Sequence, residues 1–169
     1  MNQAEKIPFS VAMSVYKNDS PEQLEVALES ICTQSLPADE IYLVIDGPVG
    51  QELHAVIQKF SDRYGNFTIN QLEKNGGLGN ALRIAVEKCR NDLIFRMDSD
   101  DISAPGRFKK QIDAYLQEPA DVLGGWTLGF VGNLETGKVS SAKRKLTSEE
   151  IVKQIGIKNS NALNEEHSF

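Results

Sequence analysis

Between residues 9 and 118 the hydrophobic positions switch repeatedly between two spacings. Short apolar runs read as strands, and three-to-four spacing reads as one face of a helix. Phe9 to Tyr16 is apolar and β-branched, which predicts a strand. Lys17-Asn18-Asp19-Ser20 turns the chain, with Ser20 as N-cap, Pro21 at the first helical position and Gln23 closing a capping box. Leu24, Ala27, Leu28, Ile31 and Cys32 share the face of that helix, and Leu36-Pro37 stops it. A second strand, Glu40 to Ile45, ends at Asp46-Gly47-Pro48. Leu53, Val56, Ile57, Phe60 and Tyr64 mark a second helix, and Phe67 to Leu72 a third, shorter strand. Asn75-Gly76-Gly77-Leu78-Gly79 breaks the chain before a helix whose apolar face is Leu78, Leu82, Ala85, Val86 and Cys89. Leu93 to Met97 predicts a buried strand, followed at once by Asp98-Ser99-Asp100-Asp101. A last helix, starting near Pro105, carries Phe108, Ile112, Tyr115 and Leu116.

Strands alternating with amphipathic helices predict an α/β fold, an open and mostly parallel sheet with helices on both faces. After Pro119 the pattern changes. Val122 to Val131 is glycine-rich and apolar, and Asn133 to Gly137 reads as a turn into Lys138 to Ser141, a C-terminal antiparallel hairpin. Thr147 with Glu150 forms a second capping box, opening a short helix to about Ile155. Lys158 to Phe169 is polar and patternless. No repeat, low-complexity segment or linker interrupts the chain, so a single domain over residues 1–169 is expected.

Composition narrows the classes. A chain of 169 residues is enough for one domain with a real core. The net charge of −6 argues against a nucleic-acid partner, which selects a basic face. No apolar run approaches the roughly 20 residues of a membrane span. The polar start, Met1 to Lys6, lacks a signal-peptide core. Cys32 and Cys89 fall on apolar helix positions and read as reduced core residues of a cytosolic protein. His54 and His167 are far apart in sequence, and His54 reads as a surface helix residue.

In open parallel sheets ligands bind beyond the carboxyl ends of the strands, where Tyr16, Asp46 and Asp98 all fall. Three carboxylates at one strand end repel one another unless a cation neutralises them. Oxygen ligands of this kind suit Mg²⁺ or Mn²⁺. In extended backbone Asp98 and Asp100 point one way and Ser99 the other. The competing reading makes the acids a turn that caps the helix near Pro105. The glycine loop lacks both G-x-G-x-x-G and a Gly-Lys-Ser/Thr ending, so its glycines read as a tight turn beside a ligand. Arg83 points at a phosphate or stands solvated on its helix. Asp46 holds the N–H of a base or simply makes an Asp-Gly turn. Lys143-Arg144-Lys145 reads as a solvated basic run, with anionic lipid headgroups as a candidate partner.

Four segments together carry a resemblance: Val15-Tyr16-Lys17-Asn18, Asp46-Gly47, Asn75 to Arg83, and Met97-Asp98-Ser99-Asp100-Asp101. Over roughly residues 8–150 the chain resembles family 2 glycosyltransferases of the GT-A fold, in particular bacterial enzymes of capsule, exopolysaccharide or O-antigen assembly. The resemblance implies a nucleotide-diphospho-sugar donor, a UDP-sugar above all, and Mn²⁺ or Mg²⁺. It implies inverting transfer to a glycan or lipid-linked acceptor, in the cytoplasm at the inner face of the membrane. Carried over by position, Tyr16 flanks the base or ribose and Asp46 binds the uracil edge. Gly76, Gly77 and Ser99 lie beside the donor, and Arg83 sits near its diphosphate. Asp98 meets the ribose or the metal, and Asp100 coordinates the metal.

Family members usually run longer, with a later acid as general base. The general base is not identified here, and Glu165 and Glu166, in the patternless tail, are not assigned that role. A shortened acceptor side, with donor binding and weak transfer, is the expectation. Two other classes fit less well. Asp98-Ser99-Asp100-Asp101-Ile102 superficially matches the D-x-D-x of haloacid-dehalogenase-like phosphatases, but their nucleophile ends the first strand, and Ile102 replaces Thr or Val. A receiver module needs an acid pair after its first strand and a Lys after its last; Val15-Tyr16 and Trp126-Thr127 supply neither.

Overall fold

The computed structural model describes residues 7–125, Thr127, Phe130–Val131 and Lys138–Val139. Its contacts divide the chain into two compact units, Met1–Ala120 and Asp121–Phe169.

In the first unit four strands alternate with four helices: β1 (Phe9–Val15), α1 (Pro21–Cys32), β2 (Glu40–Ile45), α2 (Gln51–Tyr64), β3 (Phe67–Gln71), α3 (Leu78–Lys88), β4 (Leu93–Met97) and α4 (Arg107–Gln117). The sheet order is β3-β2-β1-β4. All three pairings are parallel; Val11, for example, lies between Ile41 and Phe95. The order reverses at β1, so the carboxyl ends of β1, β2 and β4 flank the crevice where open α/β sheets take ligands.

The side chains of each strand alternate between two layers. Phe9, Val11, Met13 and Val15 of β1, with Ile41, Leu43 and Ile45 of β2 and Phe95 and Met97 of β4, face α1, α2 and α4. Phe9, Phe95 and Phe108 meet edge-on or tilted, with centroids 4.8–5.2 Å apart, an arrangement that suits their ring quadrupoles. Ala12, Tyr42 and Val44 form the opposite face, covered by Ala81 and Ala85 of α3.

Two expectations from spacing are corrected here. The buried face of α3 is built on small residues: Leu78 and Val86 are exposed, and Ala81 and Ala85 let the helix backbone approach the sheet. The helix α4 starts at Arg107 with Gly106 as N-cap and no side-chain cap bond, so none of the acids at 98–101 caps it. The cap predicted for α1 is present, with the Gln23 N–H donating to Ser20 Oγ at 3.3 Å.

At the amino ends of the strands sits a buried carboxylate, Glu40, 1% exposed. It accepts from Ser10 Oγ (2.8 Å), Thr68 Oγ1 (3.1 Å) and the Arg90 N–H (2.7 Å), and Arg90 Nε lies 3.1 Å away. Burial works to raise its carboxyl, but these donors and the Arg90 charge prevail and hold it below the usual carboxylate range. The two cysteines are free and half-buried. Burial, helped by the Glu29 charge, pushes the Cys32 thiol up to about 12, so it is no nucleophile at neutral pH.

In the second unit β5 (Phe130–Val131) and β6 (Lys138–Val139) pair antiparallel, with Phe130 opposite Val139. The turn expected between them, Lys143-Arg144-Lys145, the helix expected after Thr147, and Glu165 and Glu166 lie outside the described residues. No helix among the described residues is long and apolar enough to cross a membrane.

Candidate functional site

At the carboxyl ends of β1, β2 and β4 opens a cleft of about 410 Å³. Ser14, Tyr16, Asp19, Asp46, Asn75, Gly77, Leu78, Asp98, Ser99 and Asp100 line it. The β1 end contributes Tyr16, 41% exposed and anchored by a local turn: its N–H donates to Asp19 Oδ2 (3.0 Å), and its carbonyl accepts from the Asp19 N–H (3.1 Å).

The β2 end contributes Asp46, only 3% exposed. Its Oδ1 accepts from the Gly76 N–H at 2.7 Å and its Oδ2 from the Gly77 N–H at 2.9 Å. Asn75 Nδ2 donates to the Asp46 carbonyl at 3.1 Å, and Gln71 Nε2 to the Gly47 carbonyl at 2.7 Å. The two loops press close together: a Cβ at Gly47 would stand 2.6 Å from the Asn75 nitrogen. Gly47 and Gly77 both have φ of +85°, a conformation that favours glycine.

The acids follow β4 in a turn, not in extended chain, so Ser99 faces the cleft along with Asp98 and Asp100. This corrects the alternation expected there. Arg96 grips Asp98 through Nε (3.0 Å) and Nη2 (2.8 Å). Asp100 is exposed and has no hydrogen-bond partner among the described residues. Burial, then the Asp98 and Asp100 charges, push the Asp101 carboxyl above its usual range against the opposing pull of Arg107 and Arg96.

Arg107 holds this turn from below. Its Nη2 donates to the Arg96 carbonyl (3.0 Å) and its Nη1 to Ser103 Oγ (2.9 Å). Burial pulls its guanidinium below the usual arginine range. The Ser103 N–H donates to Ser30 Oγ (3.0 Å), and Gln34 Nε2 to the Ala104 carbonyl (3.1 Å), tying the segment to α1. Among the described residues no three His, Cys, Asp or Glu side chains converge as a ready metal site.

A profile described as Glycosyl transferase family 2 matches residues 10–165. The chain belongs to this family. It is 47% identical over 117 residues to the amylovoran biosynthesis glycosyltransferase AmsE of Erwinia amylovora, covering 69% of this chain and 44% of that protein. It is 41% identical over 127 residues to an Escherichia coli UDP-Gal:alpha-D-GlcNAc-diphosphoundecaprenol beta-1,3-galactosyltransferase, covering 74% of this chain and 46% of the relative. The chain thus spans a little under half the length of these relatives. The S. aureus TarS 1-349 crystal structure in complex with UDP superposes with a TM-score of 0.54 at 25% identity, over 66% of this chain and 32% of that TarS 1-349 chain. The architecture is that of GT-A family 2 transferases.

Of the donor-side residues expected from sequence in this family 2 domain, the cleft gathers Tyr16, Asp46, Gly77, Asp98, Ser99 and Asp100. Gly76 and Arg83 are not in its lining. Arg83 Nη1 pairs with Glu87 Oε1 at 2.7 Å and its Nη2 with Asn80 Oδ1 at 3.1 Å on the exposed side of α3. The Gly76 and Gly77 amides are spent on Asp46 and do not form an open phosphate cradle. Ser14 and Asp19 were not foreseen. Ser14 lies two residues before Tyr16 in a strand, which puts both on one face and was readable. Arg107 gave no signal beyond its place in a polar helix turn.

Proposed function

We propose that this family 2 domain binds a nucleotide-diphospho-sugar, a UDP-sugar, in the cleft and transfers its sugar with inversion to a glycan or lipid-linked acceptor in surface-polysaccharide assembly. The observation that carries this reading is the meeting of Tyr16, Asp46 and the 98–100 turn, from three separate strand ends, in one cleft. The names of the relatives support the nucleotide and the acceptor class. In this reading the domain works in the cytoplasm, beside the membrane that holds the acceptor lipid.

Tyr16 offers its half-exposed ring to the base, and Ser99 and Asp98 face the ribose. The donor set also fits Mg²⁺ or Mn²⁺. Such ions bind through one or two carboxylates and take their remaining oxygens from the substrate diphosphate and water, so a full protein cage is not needed. Asp100 is the ligand of choice because its carboxylate is free among the described residues; Asp98 joins only as Arg96 releases it. When bound, the ion supplies Lewis-acid stabilisation of the leaving diphosphate. A thermal-shift panel of UDP, GDP, CDP and dTDP, each with and without Mn²⁺, tests the reading. UDP with Mn²⁺ is expected to raise the midpoint most. A flat response to all four nucleotides overturns it.

One observation favours weak transfer by these residues alone. Of the four acids lining the cleft, three are already engaged and the fourth is the one that would take the cation. Asp19 holds Tyr16, Asp46 holds the glycine amides, Asp98 holds Arg96, and Asp100 is left for the cation. Among the described residues no lining carboxylate remains as general base, and general-base help is worth roughly a hundredfold to ten-thousandfold. Donor hydrolysis and sugar transfer by the purified chain are expected to run well below about 1 per second. Turnover at that rate or faster in a coupled nucleotide-release assay overturns this.

A further inference from the structure

Four carboxylates line the cleft, Asp19, Asp46, Asp98 and Asp100, and among the described residues no lysine, arginine or histidine does. Among the described residues, one ion pair reaches these acids, and it comes from the strand just before them. Residues two apart along a strand share a face, so Arg96 in β4 reaches Asp98 just past its end. The guanidinium meets the carboxylate as a fork. Nε and Nη2 donate to Oδ1 at 3.0 and 2.8 Å, and Nη2 also donates to Oδ2 at 2.8 Å. Both side chains stay partly open to water, 58% and 34% exposed, so the pair is weak enough to exchange. Arg107, the other guanidinium at this turn, bonds differently. Its donors go to the Arg96 carbonyl, Ser103 Oγ, Gln111 Oε1 and Met97 Sδ, none of them a carboxylate. Arg107 thus shapes the backbone, whereas Arg96 pairs with a carboxylate of the cleft.

We infer that Arg96 competes with the divalent ion for Asp98, so that the ion binds well only in the company of the diphosphate. The competition is one of charge and does not require every lone pair of Asp98 to be taken. An ion that arrives alone meets one unpaired carboxylate of the lining, Asp100, and draws Asp98 from a guanidinium left with no anion. An ion that arrives with a diphosphate brings oxygens of its own. It also offers Arg96 a second anion, since the guanidinium fork suits phosphate as well as carboxylate. Cation and nucleotide therefore strengthen each other's binding, and by linkage the coupling is reciprocal. This inference rests on the cation and nucleotide reading above.

The first test reads the pair itself. By NMR, the Arg96 Nε–H is expected to exchange slowly in wild type and several-fold faster in Asp98→Ala. Equal exchange in the two proteins overturns the inference. The second test measures Mn²⁺ affinity by titration calorimetry for wild type and Arg96→Gln, with and without saturating UDP. Without UDP, Arg96→Gln is expected to bind Mn²⁺ roughly twofold to fivefold tighter, the range an exposed ion pair supports. With UDP the gain is expected to vanish or reverse, because the wild-type guanidinium then has the diphosphate to hold. In an Asp98→Ala background, Arg96→Gln is expected to leave Mn²⁺ affinity unchanged. Unchanged or weaker Mn²⁺ binding by Arg96→Gln without UDP overturns the inference. So does a gain that persists in the Asp98→Ala background, the sign of a general field, or one that is equal with UDP. An arginine that only supported β4 would give none of these differences. Should Arg96→Gln not fold, Arg96→Lys keeps the charge but loses the fork, and the same comparison decides. If wild type takes up no Mn²⁺ even with UDP, the cation reading falls and takes the inference with it. Uptake that Arg96→Gln leaves unchanged strikes the inference alone.

Discussion

Asp100→Asn is expected to abolish the Mn²⁺-dependent part of UDP binding while leaving the fold intact. Asp100 stands in the cleft, exposed and without a hydrogen-bond partner among the described residues. Its loss removes a hard oxygen anion from the one lining carboxylate, among the described residues, that is free to take a cation. Changing a residue that merely supports a metal ligand costs ten- to a hundredfold in metal affinity, so losing a ligand should cost about a hundredfold or more. Stability should stay within about 0.5 kcal/mol, as for other surface substitutions. Calorimetry of UDP with and without Mn²⁺ reads the effect. If Mn²⁺ strengthens UDP binding equally in both proteins, the cation is held elsewhere. Asp98→Asn makes the internal comparison, because that carboxylate must first leave Arg96 at 2.8 Å.

The second large effect lies at the other end of the strands. Glu40→Ala should cost about 3 kcal/mol at neutral pH, since Ser10, Thr68 and the Arg90 amide are left as donors without an acceptor. The exposed Arg90 guanidinium rehydrates and adds little. The effect has a pH signature. A carboxyl held below its usual range stabilises the fold fully above the unfolded value of about 4.3. That contribution drains away as pH falls through the lower folded value. The stability gap between wild type and Glu40→Gln should therefore narrow with acidification below about pH 4.3. Denaturant titrations across that window check it. A gap that stays constant, or a loss near 0.5 kcal/mol, removes Glu40 from this role.

The sheet was legible because its signals are local. Apolar runs gave the four strands to within a residue or two, and three-to-four spacing gave α1 and α2. What escaped depends on contacts that sequence distance hides. The buried face of α3 was misread because spacing favours large residues, whereas close packing chose Ala81 and Ala85. The partners of Asp46 lie 30 and 31 residues away, and no pattern links them. The grip of Arg96 on Asp98 was within reach: residues two apart in a strand share a face, the rule applied to Asp98 and Asp100 but not one step earlier. That rule then failed at Ser99 because the strand ends at Met97 and the chain turns.

The strand order carries a consequence for the order of events during synthesis. One of the two inner strands of the sheet is its first, and one of that strand's neighbours is the last of the four: Phe9 pairs with Leu93. Pairings between distant segments form slowly, because a long loop must close before they reward it. A ribosome releases β1, β2 and β3 well before β4, and until then one edge of β1 is open to other chains. The acidic turn leaves the ribosome later still, just behind that closing strand. The cleft is thus completed only when this sheet closes, and under the nucleotide reading proposed above a nascent chain that holds donor is one whose sheet has already closed.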